Sequence, residues 1–375
     1  MSTLTQTQQN NRIYWLDVAR AMAIVCIVVC HACTRSFSIG TETLAEFEAY
    51  GVAFSVGKAM LYVFSRLGVP LFLMITGALL LGRDYTGEGK LERFYKNNWL
   101  PILRTTVIWF GIMYLYLSLF HDSVLRTQGL GKATLKFVET LLFVNQVSFP
   151  SMWYMPMILC LYVLIPIMAL GLSKFGDRYF MVLVNIAVVL TFIIPNLNAV
   201  LKNFGSEFTL HSALNISEFF SIYFCYLFLG YWVRKGSFDK LPTWCIALGC
   251  FVSYALTVAY QVWMYAGPTD YNIRYEDLGI LITSFFLFNL LKRKGDVFLP
   301  ARKSTETLSR YAFGIYFVHI CIMRGLVFVF KHWHLDIYPY AKFAILFVVA
   351  FGLSWLIIAL TERIPFFRKY LYMIK

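Results

Sequence analysis

Three ionisable residues stand in the first apolar run of the chain, RIYWLDVARAMAIVCIVVCH: Asp17, Arg20 and His31. Ionisable groups inside a span are costly and usually mark a pathway or a site. On a helix, Arg20 and His31 lie eleven residues apart, close to three full turns. They share one face, separated by about 16 Å along the axis. Asp17 precedes Arg20 by three, a spacing at which helical side chains pair. One stripe thus joins a guanidinium, an anion binder, to an imidazole suited to proton transfer or nucleophilic attack. The plainer readings are a structural histidine hydrogen-bonded to a neighbouring helix, and an aspartate that only neutralises Arg20. Neither side chain is expected to face lipid.

A later apolar run carries Tyr316 and His319, three residues apart, with Arg324 beyond them. His319, near mid-span, either acts chemically or holds a partner inside the bundle. Arg66 opens the second run on its outer side. Arg104 lies in the third, where snorkelling is the simpler account. The loop between those two runs contains Arg83, Arg93, Lys96 and then Pro101. Such a cluster suits phosphate groups, although the charge bias of membrane loops alone already accounts for it. His121-Asp122-Ser123 has the residue types of a triad, but adjacency in sequence does not build one. Residues 87–90, Gly-Glu-Gly-Lys, lack a full phosphate-loop pattern and a preceding strand. His332 and His334 flank Trp333 as rim residues. Cys30, His31 and Cys33 crowd one helical turn, against zinc spacing rules, so no metal site is expected.

The elements that must carry these residues are membrane helices. Of 375 residues, 59% are hydrophobic and 14% charged, where a soluble domain would carry roughly a quarter charged. The eight cysteines fall in or beside apolar runs and read as small hydrophobes rather than disulfide partners. The first run holds Asp17 and Arg20 and has no small-residue cleavage site, which argues against a signal peptide. Runs long enough to cross a bilayer fall near 13–35, 59–82, 99–120, 152–172, 179–197, 217–233, 244–265, 277–292, 310–331 and 341–362. The fold class is therefore all-α: a polytopic membrane protein of about ten transmembrane helices.

Net charge is +13, yet its distribution speaks for topology rather than nucleic acid. With both ends inside, nineteen of the 33 Lys and Arg fall in cytosolic segments and eight, Lys58 among them, in external ones. That bias favours N-in and C-in. In the loop at 121–151, Leu135, Val138, Leu141, Leu142 and Val144 have helical spacing and suit either an amphipathic interfacial helix or an ordinary loop helix. Residues 1–11 read as a disordered tail, 12–363 as the transmembrane domain and 364–375 as a short basic cytosolic tail.

Arg20, ten intervening residues and His31 resemble the first-helix signature of the acyltransferase 3 family of integral membrane acyltransferases. The resemblance continues through SRLGVPLFLMITGALLLGR (65–83), RFYKNNWLPILR (93–104), SMWYMPMILCLYVLIPIM (151–168), FCYLFLGYWVRK (224–235) and YAFGIYFVHICI (311–322). The number, order and spacing of these segments make it specific. The branch is similar to the single-domain type that O-acetylates enterobacterial common antigen. Lys96 stands where Arg is frequent, Thr76 where Ser is, and Ser151 where that branch often has His; the last bears on acceptor identity.

The resemblance implies transfer of an acyl group, usually acetyl, from cytosolic acyl-CoA to a hydroxyl of a cell-envelope glycan or related molecule. Arg20 and His31 are then the essential pair, with Asp17 holding Arg20. His31 removes the acceptor proton or transiently carries the acyl group, and Arg20 guides the phosphopantetheine arm or stabilises charge at the thioester. Arg93 and Lys96 match a basic pair linked to the CoA donor, and Arg83 and Arg104 are expected to join them at its nucleotide end. Beyond that carry-over, Trp153 and Tyr154 are expected to stack on a sugar, Tyr316 and His319 to orient the imidazole or acceptor, and Arg66 to contribute to the acceptor side. Acyl-CoA is a donor substrate rather than a tightly bound cofactor. The expected setting is the bacterial inner membrane, with the bilayer as partner, no nucleic acid, and a homo-oligomer left open. A transporter or flippase of envelope precursors is the rival reading, since intramembrane charges serve either class.

Overall fold

The computed structural model describes residues 13–120, 124–144, 150–210 and 222–374. The 1–11 segment and His121-Asp122-Ser123 lie outside them. Helices follow one another without a strand among the described residues: α1 (Tyr14–Ser36), α2 (Thr43–Arg66), α3 (Gly68–Leu80), α4 (Lys90–Phe94), α5 (Leu100–Phe120), α6 (Val124–Leu141), α7 (Tyr154–Phe175), α8 (Asp177–Val188), α9 (Ile194–Asn203), α10 (Ile222–Lys235), α11 (Thr243–Tyr265), α12 (Leu278–Lys294), α13 (Arg302–His332) and α14 (Pro339–Thr361). Helices satisfy their own backbone groups, which is what permits apolar sequence to cross lipid.

Among the described residues, eight helical runs are long and apolar enough to cross a membrane. The run Leu278–His332 spans 55 residues, roughly 80 Å of helix. The hydrocarbon core is only about 30 Å thick. That run contains the expected spans at 277–292 and 310–331, joined by the 3-10 turns of Gly295–Ala301. The expected span at 217–233 begins outside the described residues and is seen as α10.

The second expected span is longer than the sequence suggested. Its helical run starts at Thr43, not 59, and continues through Leu80. Gly51 breaks it with φ 78°, a left-handed conformation that glycine tolerates. This extension overturns two expectations. Lys58 is not in an external loop but 1% exposed inside α2. Arg66 does not open the span; it closes α2 in the middle of the run.

The chain divides into two units. The first comprises residues 1–82 and 175–312, hence α1–α3, α8–α12 and the start of α13. Helix α1 is its inner element, with 78% of its apolar window buried. Gly77 of α3 and Gly230 of α10 set the closest approach: a Cβ on Gly77 would overlap the Leu227 carbonyl, and one on Gly230 the Met74 backbone. Small residues let helix backbones approach in this way where lipid offers no hydrophobic drive.

The second unit comprises residues 83–174 and 313–375, hence α4–α7, the rest of α13, and α14. Helix α14 is apolar all round with only 22% of its window buried, as a lipid-facing helix should be. Helix α6 covers part of the 121–151 loop and packs on α5 through Tyr114, whose hydroxyl donates to the Ala133 carbonyl at 2.7 Å. Its Leu135 and Val138 are exposed, as are Leu142 and Val144 just beyond it. In the segment set apart as a basic tail, Leu371, Tyr372 and Ile374 are buried, and the Trp109 indole donates to the Leu371 carbonyl at 2.9 Å.

Candidate active site

In the first unit, α1 is one uninterrupted helix, so Arg20 and His31 keep the face and separation that their spacing dictates. The Arg20 guanidinium lies 3.3 Å from Asp17 and donates to the Ser309 hydroxyl at 2.9 Å. Ser309 in turn donates to Asp17 at 2.6 Å. Asp17 and Ser309 are buried, and Arg20 keeps partial exposure. The carboxylate thus accepts from both groups and fixes the direction of the guanidinium. Ser309 was not singled out in the sequence; a lone serine near the start of a helix carries no signal. His31 is half-buried farther along α1, and its carbonyl accepts from the Arg35 side chain at 2.9 Å and the Thr34 hydroxyl at 3.2 Å.

Arg66 rests in the same unit among aromatic groups. Its guanidinium donates to the Tyr62 hydroxyl and stands 4.5 Å from the Tyr62 ring and 5.3 Å from the Tyr275 ring. Tyr62 precedes Arg66 by four, a contact legible from helical spacing. Tyr275 comes from the stretch before α12, where Tyr226 donates to its carbonyl at 2.6 Å. About two turns before Arg66, the Lys58 ammonium meets Glu46 at 2.5 Å and lies 4.0 Å over the Tyr265 ring. The apolar sequence around Lys58 was the signal for its burial; Glu46 was hidden because it lies before the Gly51 break.

The stretch before α12 also holds Asp277, which accepts from the Arg274 amide at 2.6 Å and the Tyr271 hydroxyl at 2.7 Å. Burial outweighs these bonds and pushes its carboxyl up to about 6.

In the second unit, Arg83, Arg93 and Lys96 are all exposed. Lys96 lies in a π-helical turn, Tyr95–Trp99, where the Leu100 amide bonds to the Tyr95 carbonyl. Pro101 explains the turn, since it has no N–H and its ring crowds the preceding turn. Two donors pin the segment to α7: Tyr95 to the Val163 carbonyl at 3.0 Å, and Trp99 to that of Leu159 at 3.1 Å. Arg104 does not sit with the exposed trio. Its guanidinium lies 4.2 Å over the Tyr370 ring, and its Nε is buried without a hydrogen bond among the described residues.

Tyr316 and His319 of α13 share this unit with Trp153 and Tyr154, and the structure brings the four into one aromatic chain. Ring centroids are 6.2 Å apart for Trp153 and Tyr154, 6.0 Å for Tyr154 and Tyr316, and 6.4 Å for Tyr316 and His319. Tyr316 donates to the Ser151 carbonyl at 3.2 Å. His319 is fully buried, and its Nδ1 is 2.6 Å from the Ile315 carbonyl. A carbonyl only accepts, so Nδ1 carries the proton and Nε2 the lone pair in the neutral ring.

No group of three His, Cys, Asp or Glu able to hold a metal occurs among the described residues. No curated protein and no solved structure matches the chain. A family model does: that of the acyltransferase 3 family, described as an acyltransferase domain, matches residues 13–359. With nearly the whole chain covered, and with a polytopic helical fold beneath it, this protein belongs to the acyltransferase 3 family of membrane acyltransferases.

Proposed function

We propose that the protein transfers an acyl group, acetyl being the expected one, from cytosolic acyl-CoA to a hydroxyl of a cell-envelope glycan in the bacterial inner membrane. The observation that carries this reading is the α1 stripe: Arg20 clamped by Asp17 and Ser309, followed on the same face by His31. The distribution of Lys and Arg supports this reading, since it favours both ends of the chain in the cytosol.

His31 takes the proton of the acceptor hydroxyl, which makes the oxygen nucleophilic enough to attack a thioester. Arg20, oriented by its two partners, attracts the anionic arm of the donor. Arg83, Arg93 and Lys96 are exposed cations on neighbouring segments and suit the phosphates at the nucleotide end. Arg104, stacked on Tyr370 away from those three, takes no phosphate contact in this scheme and holds Tyr370 instead. Trp153, Tyr154 and Tyr316 offer ring faces and a hydroxyl to a sugar, and His319 presents a fixed tautomer at the end of that chain.

The test is His31→Ala in membranes, at expression equal to wild type, with isotopically labelled acetyl-CoA and the envelope fraction as acceptor. Loss of covalent labelling is expected; full labelling would reject the scheme. A trapped labelled His31 peptide from a quenched reaction separates an acyl-histidine route from direct transfer. Substrate movement without covalent change would favour the transporter reading instead.

A further inference from the structure

Helix α1 runs antiparallel to α2 and α3, and this sets the depth of Arg66. Phe37 meets Phe54 with ring centroids 5.8 Å apart. At the other end of the pairing, a Cβ on Gly68 would lie 3.0 Å from Ile27 Cδ1 and 3.1 Å from Cys26 Cβ. Two residues back from Gly68 stands Arg66. Side chains on a helix tilt towards its own N-terminus, here towards the Phe54 end. That direction brings the guanidinium to the level of Cys30, whose thiol is within its electrostatic reach. His31 is the next residue on α1.

The charges at this level do not balance. Lys58 is neutralised by Glu46 at 2.5 Å. Arg66 has the hydroxyls and ring faces of Tyr62 and Tyr275 but no carboxylate among the described residues, and its Nε is buried without a hydrogen bond. Aromatic faces return only part of what it costs to take a cation out of water. A guanidinium held this way gains most from an arriving negative oxygen.

We propose that Arg66 is a catalytic group that stabilises the oxyanion formed at the thioester carbonyl, a role that rests on the acyl-transfer reading and on His31 as base. As the acceptor oxygen bonds to the carbonyl carbon, its proton passes to His31 and the carbonyl π pair moves onto oxygen. Arg66 meets that charge. When the carbonyl re-forms, the carbon–sulfur bond breaks, and the leaving thiolate takes the proton from His31 to give free CoA and the ester. The two rings hold the guanidinium in place beforehand, so little reorganisation is needed as the charge develops.

Purified wild type, Arg66→Met and Arg66→Lys are compared by thiol release from acetyl-CoA with envelope membranes as acceptor, alongside thermal unfolding. Arg66→Met is expected to lower kcat by about 10²–10³-fold, with both KM values within about twofold, and to leave the unfolding midpoint unchanged or higher because an uncompensated charge is gone. Arg66→Lys, which keeps charge but loses the planar fork, should fall in between. Retained kcat, a rise confined to the acceptor KM, or a lowered midpoint in Arg66→Met would each overturn the proposal. A wild type that releases no thiol overturns the acyl-transfer reading and this role with it; an active wild type with an equally active Arg66→Met overturns this role alone.

Discussion

Ser309 donates to Asp17 at 2.6 Å across 292 positions of sequence, and the same hydroxyl accepts from Arg20 at 2.9 Å. The relationship turns an i, i+3 ion pair on α1 into a three-membered clamp. Ion pairs of that spacing alone contribute only about 0.2–0.5 kcal/mol, too little to hold a partly exposed guanidinium in one direction.

Removing the clamp hydroxyl should therefore disorient Arg20 without removing its charge. Ser309→Ala is expected to slow acyl transfer about 10- to 100-fold, in line with roughly 1.5–3 kcal/mol for a hydrogen bond to a charged group. Ser309→Thr should retain most of the rate. Steady-state rates at equal expression provide the check, and an alanine variant as fast as wild type would remove Ser309 from the site.

Arg93 and Lys96 are exposed, and under the proposed donor-binding role their loss should touch donor affinity and not the chemical step. Arg93→Ala and Lys96→Ala are each expected to raise the acyl-CoA KM several-fold, with kcat little changed. The penalty should shrink at high salt, because exposed charges are screened. Equal KM values at low salt would assign this cluster to topology alone.

The α3–α10 crossing leaves no room for a methyl group. Gly77→Ala and Gly230→Ala each press a Cβ into backbone that cannot swing away. Each should destabilise the fold by about 1–3 kcal/mol or more. A lowered unfolding midpoint in detergent is the expected result; an unchanged midpoint would contradict a close α3–α10 crossing.

Asp277 supplies a pH dependence with a definite sign. Its carboxyl is raised from 3.8 to about 6, first by burial and then by Glu276, against the Arg274 amide, the Tyr271 hydroxyl and the Arg274 charge. A folded state that holds the proton more tightly than the unfolded chain is favoured at low pH. This contribution is complete below about 4, is lost as pH rises through about 6, and is flat above. Unfolding midpoints across that window should show the slope in wild type and lose it in Asp277→Asn. A slope of the same size in both proteins would place its origin elsewhere.

How much was legible differs from residue to residue. The apolar runs, the helical face shared by Arg20 and His31, and the pairing of Asp17 with Arg20 follow from composition and a 3.6-residue period. The start of α2 did not: Lys58 counted as an external loop charge, and nothing near it in sequence revealed Glu46 as its partner. Those charges lie on opposite sides of the Gly51 break, and only folding brings them together.

The sequence by itself determined an all-helical membrane chain of the acyltransferase 3 family and the stripe on its first helix, because periodicity and burial in lipid act along one segment at a time. Tertiary structure alone decided that Ser309 completes the Arg20 clamp, that Lys58 is neutralised while Arg66 is not, and that Trp153, Tyr154, Tyr316 and His319 form one chain of rings. Each of these depends on contacts between residues distant in sequence or on opposite sides of a helix break, and local spacing carries no information about such meetings.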